Sequence, residues 1–496
     1  MSLPVHDWAK RRLLIASALL ALSLLSCAER VHIGPSDISA PEPVPAPSTT
    51  PVGAVLRAGP GQIYPTIAAG IAAMSSGDTL IIVNGTYHEQ IAAVPNGSGP
   101  DRYTTIKAES DGGVVLTKSF LLDQARSYIS FEGLKFDTTE NKQVLGNHIR
   151  FMRCAFKGGQ AGGNNGNVTV GTNDYNNTQY ILFEDSWMYG AGGRYKLCIY
   201  NSDKVVLRRV VVRDDGGWTS DNSDPEAGIT VYQSSNVSIQ NALVIDSDLG
   251  TYDNDNVGAF YLTGHAGNRS SSNIEYLGSM SINNKSWGWS IDTDDGGIGL
   301  SLRDVIVYAQ EAGGLATSNT SMDLTIQRGT FGNIGGRGIG NWGTKSITVS
   351  DSVFWNLGNS SANGNTNVTY SSTFNPSDLT GTGITHYNPL TSGLLYLPRA
   401  ESGGPLNTAG QSSGEAGAQV LHQIGVSGTQ WGEPDYNATQ PALLWPWPHE
   451  SRIRDDFATV SSRGFAADPG AYPITKYIWE ILGQAINPAS FNFAKN

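Results

Sequence analysis

The residues best equipped for chemistry are gathered in two acidic stretches. One reads RDDGGWTSDNSDPEAG (213–228) and contains Asp214 and Asp215; the other reads DSDLGTYDNDN (246–256) and contains Asp246, Asp248, Asp253 and Asp255. Carboxylates set side by side repel one another and raise their own pKa values. A hard cation removes that penalty, and Ca²⁺ takes about six to eight oxygens from such clusters. The same residue types also close turns by local hydrogen bonding, so a row of solvated Asp/Asn turns is the competing reading. Basic and aromatic groups follow: His265 in TGHAGN, then Lys285, Trp287 and Trp289 in NNKSWGW. Lys285 and His265 are candidate bases. Arg194, Lys196, Arg209 and Arg213 are candidate clamps for an acidic group. Of the two Trp, one is expected in the core and one at the surface.

These residues need a scaffold, and a recurring pattern supplies it. Written as apolar, any, apolar, any, any, small or apolar, any, apolar, it fits ISFEGLKF (129–136), IRFMRCAF (149–156) and ILFEDSWM (181–188). It fits VVLRRVVV (205–212), VSIQNALV (237–244), LSLRDVIV (300–307), LTIQRGTF (324–331) and ITVSDSVF (347–354). A ninth copy, IEYLGSMSI (274–282), is expected to need one extra residue, as a bulge would supply. Period-two alternation makes each half a short strand with one buried face, and the two-residue break between halves is a tight corner. A further short strand, such as LCIY or GITVY, precedes most copies. Three strands and three corners per repeat cannot bury a face alone; stacking each coil on the next does so. The pattern therefore predicts a right-handed parallel β-helix over 53–356, which places equivalent loops of adjacent coils about 4.8 Å apart. Composition agrees: 59 Gly among 496 residues and only 15% charged residues favour strands with frequent turns.

A solenoid needs covered ends. YPTIAAGIAAM (64–74) has helical spacing at Ile67, Ile71 and Met74 and precedes the strand TLIIV. This opening, together with the repeats, resembles the pectate-lyase-like β-helix superfamily, with a capping helix before the first coil. The resemblance implies the fold; lyases, hydrolases, epimerases and non-catalytic adhesins share it. Beyond 356 the repeat fades, and 357–496 is expected to be an irregular C-terminal covering segment. Trp445, Trp447 and Trp479 in its aromatic tail either pack on the solenoid or bind sugar faces.

The N-terminus reads as an export signal, with Lys10, Arg11 and Arg12 before the short apolar run LLIASALLALSLL. LLSC (24–27) resembles the bacterial lipoprotein box, which implies a 1–26 signal peptide, a lipid on Cys27 and, with Ala28 following, outer-membrane delivery. A Pro-rich tether over 27–52 then lifts the folded part from the membrane. The chain carries −12; the leader holds Lys10, Arg11 and Arg12 against Asp7, so its removal leaves −14. That charge excludes nucleic acid as a partner. Cys154 and Cys198 are left either to pair or to stay buried as thiols. A capped solenoid has no edge needing a partner, so a monomer is expected.

In some polysaccharide lyases of the resembled fold, Ca²⁺ neutralises a uronate carboxylate and a Lys or Arg abstracts the adjacent proton. Acidic loops followed by Lys285 are similar in order. The resemblance implies a protein acting on acidic polysaccharide by Ca²⁺-assisted β-elimination or a related cleavage. Asp214, Asp215, Asp246, Asp248, Asp253 and Asp255 would hold the cation, and Lys285, His265 or Arg213 would act in catalysis. Arg194, Lys196, Trp287 and Trp289 would bind substrate. DTDDGG (292–297) resembles a fragment of a Ca²⁺ loop, and GHAG (264–267) a fragment of the polygalacturonase pattern. The alternative is a non-catalytic polysaccharide-binding or structural protein of the cell envelope.

Overall fold

The repeated motif folds as its alternation demands. In the computed structural model, which describes residues 53–160, 166–173, 177–216, 226–249, 257–461, 463–467 and 472–483, the first residues of all nine copies form one column. Ile129, Ile149, Ile181, Val205, Val237, Ile274, Leu300, Leu324 and Ile347 pair in parallel, each with the next. Among the described residues, three parallel sheets result. The first has 13 strands, from Val55–Ala58 to Thr366–Thr369; the second has 12, from Gly85–Tyr87 to Ser372–Phe374. The third has 8, from Gln143–Val144 to Ile339–Asn341. The chain is a parallel β-helix.

The corner between first and second sheets is the fifth motif position, and it is left-handed in every copy. Arg153, Asp185, Arg209, Asn241, Asp304, Arg328 and Asp351 have φ between 46° and 57°, and Gly133 and Gly278 fill the remaining copies at 68° and 60°. This conformation is disfavoured for residues with a Cβ. The neighbouring coil holds it: the Asp185, Arg209 and Asn241 amides donate to the Arg208, Gln240 and Leu277 carbonyls at 3.0, 2.8 and 2.7 Å. IEYLGSMSI needs no bulge. Gln240 pairs Leu277 and Leu243 pairs Met280, with the same number of residues between. Ser281 simply replaces the eighth apolar residue, buried and bonded by Asn284 Nδ2 at 3.0 Å.

At the N-terminal end, Ile67–Ala73 forms the expected capping helix, with Thr66 accepting from the Ala69 amide and Ile67 and Ile71 buried. At the other end the β-helix runs one coil past residue 356, through Thr366–Thr369 and Ser372–Phe374.

The C-terminal segment then turns back along the solenoid. Hydrogen bonds place Gln411 on Asp351, Ala418 on Thr330, Ile424 on Asn241 and Gly428 on Glu184, a descent through successive coils. The helix Glu450–Ala458 follows, where Asp456 accepts from Lys135 Nζ at 2.6 Å and Trp187 Nε1 at 2.8 Å. Under it lies a second core. Outward residues of the second sheet, among them Trp187, Tyr189, Leu243, Ile282 and Ile306, pack against Leu406, Val420, Phe457 and the three tryptophans Trp445, Trp447 and Trp479. All three indoles are at most 3% exposed, so they cover the solenoid rather than offer a sugar face.

Where this segment crosses the first sheet, Glu184 ties it down. Its buried carboxylate meets Arg208 at 2.8 Å and Arg209 at 2.5 Å, and also accepts from Ser427 Oγ and the Gly428 amide. Arg208 in turn donates to the Val426 and Tyr436 carbonyls. Burial pushes the Glu184 pKa up, but Arg209, Arg208 and these donors outweigh it and the net shift is downward. Glu184→Gln leaves the buried Arg208 guanidinium without a carboxylate partner, while Arg209 keeps Asp185, and is expected to lower the unfolding free energy by about 3–5 kcal/mol at neutral pH. A depressed carboxylate stabilises above its unfolded pKa and loses that contribution as pH falls through its folded one. The difference between wild type and variant, followed by denaturant unfolding, should therefore shrink on acidification.

Candidate functional site

The acidic residues lie where the second sheet ends, and stacking decides their neighbours. Val212 pairs Val244 and Ile245 pairs Ile282, so Asp214 aligns with Asp246 and Asp246 with Asn283. Asp246, Asn283, Asn333, Asn356 and Asn375 repeat the left-handed corner, with φ of 48–53°. Asn283 Nδ2 donates to Asp246 Oδ1 at 2.7 Å; Asn356 and Asn375 donate down the same ladder at 2.8 and 3.1 Å.

Each described carboxylate here is met by a donor of the chain itself. Asp214 faces Lys196 Nζ at 3.2 Å, both 1% exposed. Asp215 faces Arg213 Nε at 2.7 Å and accepts from the Gly190 amide at 2.8 Å. Asp246 accepts from Asn283, the Tyr477 hydroxyl at 3.0 Å and the Phe465 amide at 3.1 Å. Its carboxylate leaves no room for a Cβ at residue 464, where the chain has Gly464 at φ 58°. Asp248 lies between Lys285 Nζ at 2.5 Å and Arg463 Nη1 at 3.5 Å. Arg463 also reaches Asp215 at 3.5 Å and donates to the Asp214 carbonyl. Burial pushes the Asp214 and Asp246 carboxyls up and the Arg213 guanidinium down, while their partners oppose each shift.

Outside this buried layer opens a cleft of about 430 Å³, lined by Asp246, Asn283, Asn284, Lys285, Glu311 and Arg463 among others. Lys285 is 46% exposed and on the same side as the acidic loop, within reach of a molecule in the cleft.

The sequence-predicted residues thus divide. Lys285, Asp246 and Asp248 come together. Asp253 and Asp255 lie outside the described residues, as does Cys27. Arg213 is fully buried, held by Asp215, the Phe457 carbonyl and the Phe457 ring, so it is a structural cation and not a catalytic one. Lys196, 1% exposed, is the counter-ion of Asp214 rather than a substrate ligand. Arg194 is also buried, its guanidinium 5.4 Å from the Tyr195 ring. His265 follows the far end of a third-sheet strand, level with Asp294, whereas Lys285 precedes the start of the next strand. A strand length of roughly 20 Å separates them, and His265 cannot share the Lys285 cleft. Trp289 stacks on Phe260 at 4.5 Å inside the core, whereas Trp287 faces outward. Alternation breaks between them because Gly288 also points inward, against Val307. In DTDDGG, Asp292, Asp294 and Asp295 accept from Ser318, Ala266 and Ser271, as turn residues do. Cys154 and Cys198 are buried free thiols, each pushed up to about 12 by burial.

The described acidic residues do not fit a Ca²⁺ cage. Lys196, Arg213, Lys285 and Arg463 occupy the positions a cation would take, and no cluster of three His, Cys, Asp or Glu suited to a metal occurs among the described residues. Sequence inspection did not single out Arg463, Asn283 or Glu311. Asn283 was visible as part of the corner ladder; Arg463 has no local signal and arrives only through the C-terminal segment.

No protein-family model and no curated protein matches the chain. Among solved structures, pectate lyase Pel9A aligns with a TM-score of 0.39 at 16% identity, over 72% of this chain and 91% of that one. The N-terminal fragment of bacteriophage Phi29 gene product 12 aligns at 0.41 and 12% identity, over 64% and 67%. A family 6 polysaccharide lyase from Pseudopedobacter saltans aligns at 0.37 and 13%, over 70% and 90%. The fold stands on the three parallel ladders themselves.

The burial difference between the pairs predicts different costs. Lys285→Met and Asp248→Asn are expected to change stability by about 1 kcal/mol or less, because the pair is partly solvated. Asp214→Ala leaves Lys196 buried without its counter-ion and should cost about 3–5 kcal/mol. Denaturant unfolding of the three variants side by side distinguishes them.

Proposed function

We propose that the protein acts on an acidic polysaccharide at the Lys285 cleft, by β-elimination next to a uronate carboxylate. The observation that carries this reading is the carboxylate of Asp248, bound by Lys285 and Arg463, two cations that also line an open, polar cleft. A uronate carboxylate presents the same group and would replace Asp248 at Arg463. Lys285, displaced from Asp248 and with a proton given up to solvent, would then take the proton from the carbon beside the carboxylate. The electron pair forms the C4–C5 double bond, and the glycosidic oxygen departs with a proton from solvent. Asp248 then faces the ammonium so formed and stabilises it.

Asp214, Asp215 and Asp248 already face cations of the chain, and Asp246 is held by neutral donors. Calcium dependence is settled by running the assay with added Ca²⁺ and with EDTA. The full-length chain, in mild detergent, is incubated with polygalacturonate, alginate and other uronate polymers, and ultraviolet absorbance of the unsaturated product is followed. Lys285→Ala is expected to reduce a positive rate by about 10²-fold or more. A flat trace on every polymer overturns elimination and leaves the binding reading, with a reducing-sugar assay to test hydrolysis.

We further propose attachment to the cell envelope through a lipid on Cys27, supported by LLSC after an apolar leader. The mass of the purified protein should then exceed that of the cleaved polypeptide by a lipid adduct, and Cys27→Ser should abolish the excess.

A further inference from the structure

Two residues beyond Lys285 the chain enters the third sheet at Trp287, and the outer face of that sheet carries a second aromatic group absent from the reading above. Trp342, directly after the strand Ile339–Asn341, is 51% exposed. Its ring meets Trp287 edge-to-face at 5.8 Å, and the Arg337 guanidinium lies 5.5 Å from its centroid. The sheet is cleared for both indoles. Trp287 and Trp342 lie against Gly313 and Gly340, where any Cβ would collide with the rings. The column is continuous: Trp287 pairs Gly313, and Leu315 pairs Ile339, which puts Arg337 level with Gly313. No ion pair of Arg337 with a carboxylate occurs among the described residues.

The inner half of the Trp342 indole packs on Trp287 and Gly340, and its outer half stays open to solvent. An unpaired guanidinium beside it adds a charge that fits an anion. Together they match one ligand chemistry: the C–H face of a pyranose for Trp342 and a carboxylate for Arg337. We propose that Trp342 and Arg337, with Trp287 as buttress, form a binding subsite for a uronate residue. It lies beside the Lys285 cleft and holds the polymer across the corner between second and third sheets. The substrate class rests on the proposed function; the subsite itself is tested by binding alone.

The full-length protein is titrated calorimetrically with oligogalacturonate and oligoalginate, and with their carboxyl-reduced, neutral counterparts. Trp342→Ala should weaken binding of acidic and neutral forms alike, by about tenfold or more. Arg337→Gln should weaken only the acidic form. Both positions are solvent-accessible, and an unchanged unfolding midpoint shows that the fold is intact. Unaltered affinity in both variants overturns the subsite, as does failure of the wild type to bind any probe. Lys285→Ala separates the two proposals. Retained binding with lost turnover supports both, whereas retained turnover removes the elimination mechanism and leaves the subsite to its binding data.

Discussion

Everything in this molecule follows from in-register stacking at about 4.8 Å. A parallel coil places each residue over its equivalent in the next coil, so apolar residues build continuous columns and the core needs no further design. The same rule is unforgiving for charge. Asp over Asp would repel, and the chain answers at each corner with alternation of sign or of hydrogen-bond role. Arg209 lies on Asp185 at 2.6 Å, Arg328 on Asp304 at 2.6 Å, and Asn283 on Asp246 at 2.7 Å. The acidic corner is the extreme case, where Asp214, Asp215 and Asp248 are paired with Lys196, Arg213, Lys285 and Arg463 and Asp246 is held by neutral donors. Three of those four cations are spent on structure or shared with it. Lys285, partly solvated, keeps access to the cleft.

The second constraint is that the second sheet is apolar on both faces. Runs such as LVI (243–245) and IVY (306–308) leave no polar side to meet water, so another layer has to cover them. The C-terminal segment is that layer, and it does more than bury surface. Through Arg463, Tyr477 and Phe465 it also completes the acidic corner, so the cleft exists only when the cover is in place.

Much of the fold was legible because alternation and corner position recur unchanged; nine copies align residue for residue. The last coil escaped notice because TNVTYSST (366–373) puts Thr366 where the nine copies have aliphatic residues and Thr373 where all but Ser281 are apolar, though Val368 and the left-handed Tyr370 keep the pattern. The site was less legible. Sequence spacing brought Lys285 to the acidic loop, because coil stacking is a local rule. It gave no means to tell that Lys196 and Arg213 are buried, since Lys196 closes on Asp214 of the next coil and Arg213 is covered by Phe457 of the returning segment. Nor did it reveal Arg463, whose partners Asp215 and Asp248 lie more than two hundred positions earlier in the chain. Trp342 was hidden for a different reason: its meaning depends on Gly313 and Gly340 beneath the two rings.

A solenoid is ordinarily modular, and gaining or losing a coil changes only its length. The returning segment removes that freedom here. Its contacts descend from Asp351 to Glu184 in a fixed order, each made to one named coil. Inserting a coil anywhere between those points would shift every later contact by one rung and misalign the cover with the face beneath it. This β-helix therefore carries its own ruler, and its number of coils can change only if the ruler changes with it.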